Sequence, residues 1–177
     1  NEIAVVGRLQ SQKNPILAVT AFALIAHKYP DIKLVFYGDG ELKDKILNKA
    51  KEYGLEGRIT IFGNIENIEK FISSAKVFLM TSDFEGLPNA LMEAMAIGIP
   101  CIATDCPCGG PRDLTEGFNK MLLVPCNDAK ATAQRLDEVL SNEALQTAMS
   151  QEEKNRAKKF HINAIMKKWE SFMEKVL

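Results

Sequence analysis

Six short apolar runs punctuate the chain: IAVVG at 3–7, KLVFYG at 33–38, ITIFG at 59–63, KVFLM at 76–80, PCIAT at 100–104 and MLLVP at 121–125. Most are continuous rather than alternating, as expected of strands covered on both faces. Between them the period changes. Leu17, Ala21, Leu24 and Ile25 fall at i, i+4, i+7 and i+8, behind Asn14-Pro15, a capping residue followed by proline at the first helical position. ELKDKILNKAKEYG predicts an amphipathic helix closed by Gly54. ENIEKFISSA, PNALMEAMAIG and DAKATAQRLDEVLS predict further helices. Beyond Asp128 the pattern is helical only and ends in HINAIMKKWESFMEKVL. There Ile162, Ile165, Met166, Trp169, Phe172, Met173 and Val176 form a stripe expected to pack on a domain rather than bind a cofactor, with part of it meant for the missing portion if the chain belongs to a longer polypeptide.

Buried strands alternating with helices predict an α/β fold: a Rossmann-like open parallel sheet of about six strands, helices on both faces, plus C-terminal helices. The 177 residues suit one domain. Because the chain opens at Asn1 and enters a strand almost at once, it is expected to be part of a longer polypeptide.

Charge and cysteine content narrow the partners. A formal net charge of −1 gives no broad field for nucleic acid, so any anion site must be local. No apolar run approaches the ~20 residues that span a bilayer. Of the four cysteines, Cys106 and Cys108 are one residue apart, which suits neither a relaxed disulfide nor the usual zinc spacing. Reduced thiols in a cytoplasmic protein are expected, with no metal site.

Ligands of open parallel sheets bind beyond the carboxyl ends of the strands, so the loops after each run are the candidate sites. Gly7 to Asn14 (GRLQSQKN) carries Arg8 and Lys13 ahead of a capped helix. It reads equally as a diphosphate cradle or as a solvated loop. Gly38-Asp39-Gly40-Glu41 permits close backbone approach but fails the dinucleotide fingerprint, since Lys43 takes the third glycine's place. Phe62 to Asn67 is explained by turn chemistry alone. The last is Thr81-Ser82-Asp83-Phe84-Glu85-Gly86-Leu87, where Pro88 opens a helix whose N-terminus offers free N–H groups and a positive dipole end. Glu85 suits that dipole with or without a ligand. Glu93 lies among Leu91, Met92, Ala94, Met95, Ala96 and Ile97, so it is expected to be buried and to need a partner. A ligand's hydroxyls would serve, and so would an ion pair with Arg8 or Arg112.

These motifs resemble the C-terminal, donor-binding domain of group 1 (family 4) retaining glycosyltransferases of the GT-B fold. The resemblance runs through GRLQSQKN (7–14), FYGDGEL (36–42), IFGN (61–64), the E-x7-E segment EGLPNALME (85–93), AIGIPCIATD (96–105), GGPRDL (109–114) and MLLVP (121–125), essentially the whole chain. It implies that residues 1–177 bind a nucleotide-diphospho-sugar, such as a UDP- or GDP-sugar, as substrate rather than cofactor. Transfer of a hexose-type sugar would proceed without metal, to a glycan or lipid-linked acceptor held by an N-terminal domain outside this sequence. The isolated chain would then be nearly inactive. Arg8 and Lys13 match the contacts to the donor diphosphate. Glu85 matches the glutamate against the transferred sugar, and Glu93 the one binding the ribose hydroxyls. Gly86, Leu87 and Pro88 border the sugar, with amides at Asn89, Ala90 and Leu91 near the diphosphate. Gly7, Gly38 and Gly40 line the cleft, and Asn64 and Ile65 meet the base through backbone atoms. Asp113 stands where the family has glutamate, so it is given no role. The resemblance further implies polysaccharide biosynthesis in the cytoplasm, with peripheral membrane association of the full protein. Half of a sugar-nucleotide 2-epimerase, or a non-catalytic nucleotide-binding module, are the rival readings.

Overall fold

The computed structural model describes residues 1–115 and 123–176. Six parallel strands form one sheet in the order β3-β2-β1-β4-β5-β6. They are β1 (Glu2–Val6), β2 (Lys33–Tyr37), β3 (Ile59–Ile61), β4 (Val77–Met80), β5 (Cys101–Thr104) and β6 (Leu123–Val124). Each predicted run contains a strand, although Met121 and Leu122 of the sixth lie outside the described residues. All four residues of β4 and of β5 are buried, as expected for central strands under two helical layers.

Helices α1 (Pro15–Ile25), α2 (Lys43–Glu52), α3 (Ile68–Ile72), α4 (Asn89–Ile97) and α5 (Gly110–Thr115) connect the strands, and α6 (Ala129–Leu140), α7 (Glu143–Ala157) and α8 (Ile162–Val176) follow. Right-handed crossovers send helices to opposite faces on either side of β1 and β4. The packing agrees: α1 touches α2 and α6, whereas α4 touches α3 and α7. The predicted cap of α1 is present, with Leu17 N–H donating to Asn14 Oδ1 at 3.3 Å. Its buried arc runs through Leu17, Ala18, Ala21, Phe22 and Ile25. Leu24 falls off the edge of that arc and is 46% exposed, a departure from the predicted stripe.

The C-terminal stripe does not pack on this domain, the first of its two expected destinations. Ile162, Met166, Trp169, Phe172 and Met173 of α8 are exposed instead of packing on the domain. It is the opposite side of the helix, with Asn163, Ala164 and Lys167, that faces α4 and α7 across a groove. All four cysteines are free thiols.

Candidate functional site

Between β1 and β4 the connections leave the sheet in opposite directions, so a crevice opens at their carboxyl ends. Two loops meet there. Loop 7–14 follows β1 and includes one turn of 3₁₀ helix at Ser11–Lys13; loop 81–88 follows β4. They are stitched together at several points. Asp83 N–H donates to Gln12 O at 2.9 Å, the Gln12 side-chain amide donates to Phe84 O at 2.9 Å, and the Thr81 hydroxyl donates to Lys13 O at 3.0 Å. Asn14 Nδ2 reaches both carboxylate oxygens of Asp83 at 3.1 and 3.2 Å. It does so from a left-handed backbone (φ 43°), which asparagine tolerates.

This stitching brings Lys13 and Glu85 into an ion pair. The Ser82 hydroxyl donates to the same Glu85 oxygen at 2.7 Å. Glu85 is 7% exposed, and the Lys13 side chain retains 26% exposure. A carboxylate this buried needs both donors, because desolvation penalises its charge. Thr104 secures the base of the arrangement by donating from its hydroxyl to Ser82 O. Gly7, Arg8, Lys13 and Ser82 line one small cavity of about 10 Å³ at the same rim. Arg8 is exposed.

Above Glu85 begins α4. Pro88 occupies the cap position rather than the first helical turn, and no side chain caps the helix. The first amide with an acceptor is Met92 N–H, to Pro88 O at 3.2 Å. Among the described residues, the N–H groups of Asn89, Ala90 and Leu91 have no acceptor. The Leu91 side chain is buried and Leu87 is 53% exposed. A Cβ built on Gly86 would meet nothing within 4 Å, so the space over that residue is open.

Other sequence-predicted residues take different positions. A Cβ on Gly38 would lie 2.0 Å from Gly7 O, and one on Gly40 2.5 Å from Leu9 O. Both glycines are therefore required where loop 38–42 packs on loop 7–9, and Leu9 N–H confirms the contact by donating to Asp39 O at 2.9 Å. Asn64 is exposed and Ile65 half-buried on the loop beyond β3.

Glu93 corrects an expectation: it is exposed, not buried. At 100° per residue it lies roughly 160° around α4 from Leu91, away from the buried arc of Leu91, Ala94 and Met95. It lines a separate groove of about 840 Å³ together with Lys154, Lys158, His161 and Lys167, rather than the small cavity beside Lys13 and Ser82. Neither proposed ion pair forms: Arg112 instead grips Asp105 with two bonds of 3.1 and 2.6 Å.

Four contributors lacked a role in the sequence reading. Ser82 and Asp83 hold Glu85 and Asn14. Thr104 braces Ser82. Gly110 starts α5 so close to loop 81–88 that an added Cβ would fall 1.3 Å from Gly86 O. The Gly109-Gly110 doublet was the available signal for that last contact.

Residues 1–156 match the family described as "Glycosyl transferases group 1". The chain belongs to this family. Among curated relatives it is 32% identical over 170 residues to the Campylobacter jejuni "GalNAc-alpha-(1->4)-GalNAc-alpha-(1->3)-diNAcBac-PP-undecaprenol alpha-1,4-N-acetyl-D-galactosaminyltransferase", covering 96% of this chain and 46% of that protein. Among solved structures, the catalytic domain of the Helicobacter pylori cholesterol-alpha-glucosyltransferase superposes with a TM-score of 0.81 at 25% identity, covering 90% of this chain and 98% of that one. The C-terminal domain of a group 1 glycosyltransferase from Francisella tularensis gives 0.79 at 25% identity, with 91% and 86% covered. This group 1 domain spans 46%, 27%, 41% and 47% of the lengths of four curated relatives that it matches. Among the described residues, no helix is long and apolar enough to cross a membrane.

Proposed function

We propose that this domain holds the nucleotide-diphospho-sugar donor of a retaining, metal-independent glycosyltransferase. One observation carries the reading: Lys13 and Glu85 meet at the strand-order switch point beside the uncapped start of α4. The diphosphate would bind between Lys13, Arg8 and the N–H groups of Asn89, Ala90 and Leu91. An incoming diphosphate competes with Glu85 for the Lys13 ammonium. That competition frees one Glu85 oxygen for the hydroxyls of the transferred sugar, while Ser82 keeps the carboxylate in place. Glu93 would take the ribose hydroxyls from its exposed position at the start of the second turn of α4.

As the sugar leaves, negative charge grows on the diphosphate. Two cations and a helix N-terminus stabilise that charge where a divalent ion would otherwise act. The acceptor hydroxyl would attack from the face the diphosphate vacates, through an oxocarbenium-like state, so that anomeric configuration is kept. The sugar is a hexose type. The acceptor, glycan or lipid-linked as in the name of the Campylobacter relative, would be held by an N-terminal half in a cytoplasmic protein of polysaccharide assembly. On this reading the 177-residue chain binds donor but transfers little by itself.

Calorimetric titration of the chain with UDP, GDP, ADP and CDP tests the reading. One of them should bind, and Lys13→Ala and Arg8→Ala should each weaken it about tenfold or more, since a charge-assisted hydrogen bond is worth roughly 1.5–3 kcal/mol. Equal affinity in wild type and both variants would remove the cations from the site.

A further inference from the structure

Two cysteines that play no part in the donor site converge directly behind it. Strands β5 and β6 pair in register as Ala103 with Leu123 and Thr104 with Val124. The ladder continues one step further, with Asp105 N–H donating to Val124 O at 2.8 Å. Two residues past Thr104 and Val124, beyond the ends of their strands, stand Cys106 and Cys126. The register sets these two segments side by side as they leave the sheet, and a disulfide spans ~4.4–6.8 Å between Cα atoms. The sulfurs also converge: Cys106 Sγ lies 3.2 Å and Cys126 Sγ 3.9 Å from the same acceptor, Ser82 O.

We propose that Cys106 and Cys126 are a modifiable thiol pair, joined into a cross-strand disulfide when the protein meets a hydroperoxide. Accessibility sets the order of events. Cys126 is half-buried and Cys106 fully buried, so the oxidant reaches Cys126 first. Its sulfur attacks the peroxide, breaking the O–O bond, taking one oxygen as sulfenic acid and releasing the alcohol or water. Cys106 sulfur then attacks Cys126 sulfur and expels hydroxide, which leaves as water with the Cys106 proton. Two thiols and one hydroperoxide thus give one disulfide, one alcohol and one water.

Burial pushes the Cys106 thiol up to about 11, and burial beside Asp83 also raises Cys126. Both therefore stay protonated near neutrality, and the pair closes slowly, under sustained oxidation rather than a brief exposure. Closure takes the sulfurs from the carbonyl of Ser82, the residue whose hydroxyl holds Glu85.

The test uses Cys108→Ser, which removes the exposed thiol and keeps Cys101, Cys106 and Cys126. Hydrogen peroxide followed by unfolding and thiol titration should show the count falling from three to one. Non-reducing peptide mapping should find 106 joined to 126 with a mass loss of about 2 Da, one hydrogen from each sulfur. Adding Cys126→Ser should leave Cys101 and Cys106 both free. Cys126 oxidised to sulfinic acid while Cys106 stays free would overturn the pairing, as would an intermolecular link through Cys126.

Discussion

Glu153 offers a sharp test of how this fold treats a buried charge. The side chain lies on α7 with no exposure. One oxygen accepts the Cys101 N–H, the first of β5, at 2.8 Å; the other is buried and has no partner among the described residues. Desolvation is the main cause that raises its pKa from 4.5 to about 8, partly opposed by the hydrogen bond from Cys101. In the unfolded chain the same carboxyl titrates near its ordinary value, so between those two pH values the folded state binds a proton that the unfolded state has lost. Stability is then fully present below about pH 4.5 and is lost as pH rises towards about 8, at up to about 1.4 kcal/mol per unit. The total is on the order of 3–5 kcal/mol, a large fraction of a domain's stability. Glu153→Gln keeps an acceptor for Cys101 and carries no charge. Urea unfolding across roughly pH 5 to 8 should show stability falling in wild type and a nearly flat profile in the variant. The two should agree at the acid end, with the variant ahead at the alkaline end. Parallel profiles would refute the assignment of a neutral buried carboxyl.

Two further substitutions probe the frame. Arg58 donates to the carbonyls of Ala26, Tyr29 and Ile32 at 2.9, 2.5 and 2.5 Å and lies over the Phe22 ring. Arg58→Ala should therefore cost roughly 2–4 kcal/mol in chemical denaturation by stranding those acceptors, and a loss under about 0.5 kcal/mol would class the cluster with ordinary surface contacts. Gly110→Ala places a methyl on Gly86 O, so a drop in melting temperature of about 5 °C or more is expected from a cost above ~1 kcal/mol. Unchanged melting would mean that the α5 start is not clamped against loop 81–88.

Much of the fold was legible because parallel strands under two layers must be apolar throughout. IAVVG, KVFLM and PCIAT announce themselves for that reason. The cap at Asn14 was legible because it is local, three residues from its acceptor. The ion pair of Lys13 with Glu85 was not, since 72 residues separate them and only the sheet order brings them together. Glu93 misled for a different reason. Its sequence neighbours are apolar, but burial on a helix follows angle rather than adjacency, and the angle points it outward. The outward stripe of α8 shows the complementary limit: periodicity reveals an apolar face without saying which body covers it. Gly38 and Gly40 carried the same letters whether they served a ligand or a neighbouring loop, and only the distance to Gly7 O and Leu9 O separates the two.

The sheet order has a consequence for how this protein matures. β4 is the fourth strand in sequence yet pairs with the first, so half of the proposed diphosphate cradle is made long before the other half arrives. A nascent or partly melted chain with β1 to β3 alone displays Lys13 with no Glu85 opposite it. On the proposed donor-binding reading, nucleotide selects the completed fold over every partly assembled one, acting as a thermodynamic latch on the last long-range step.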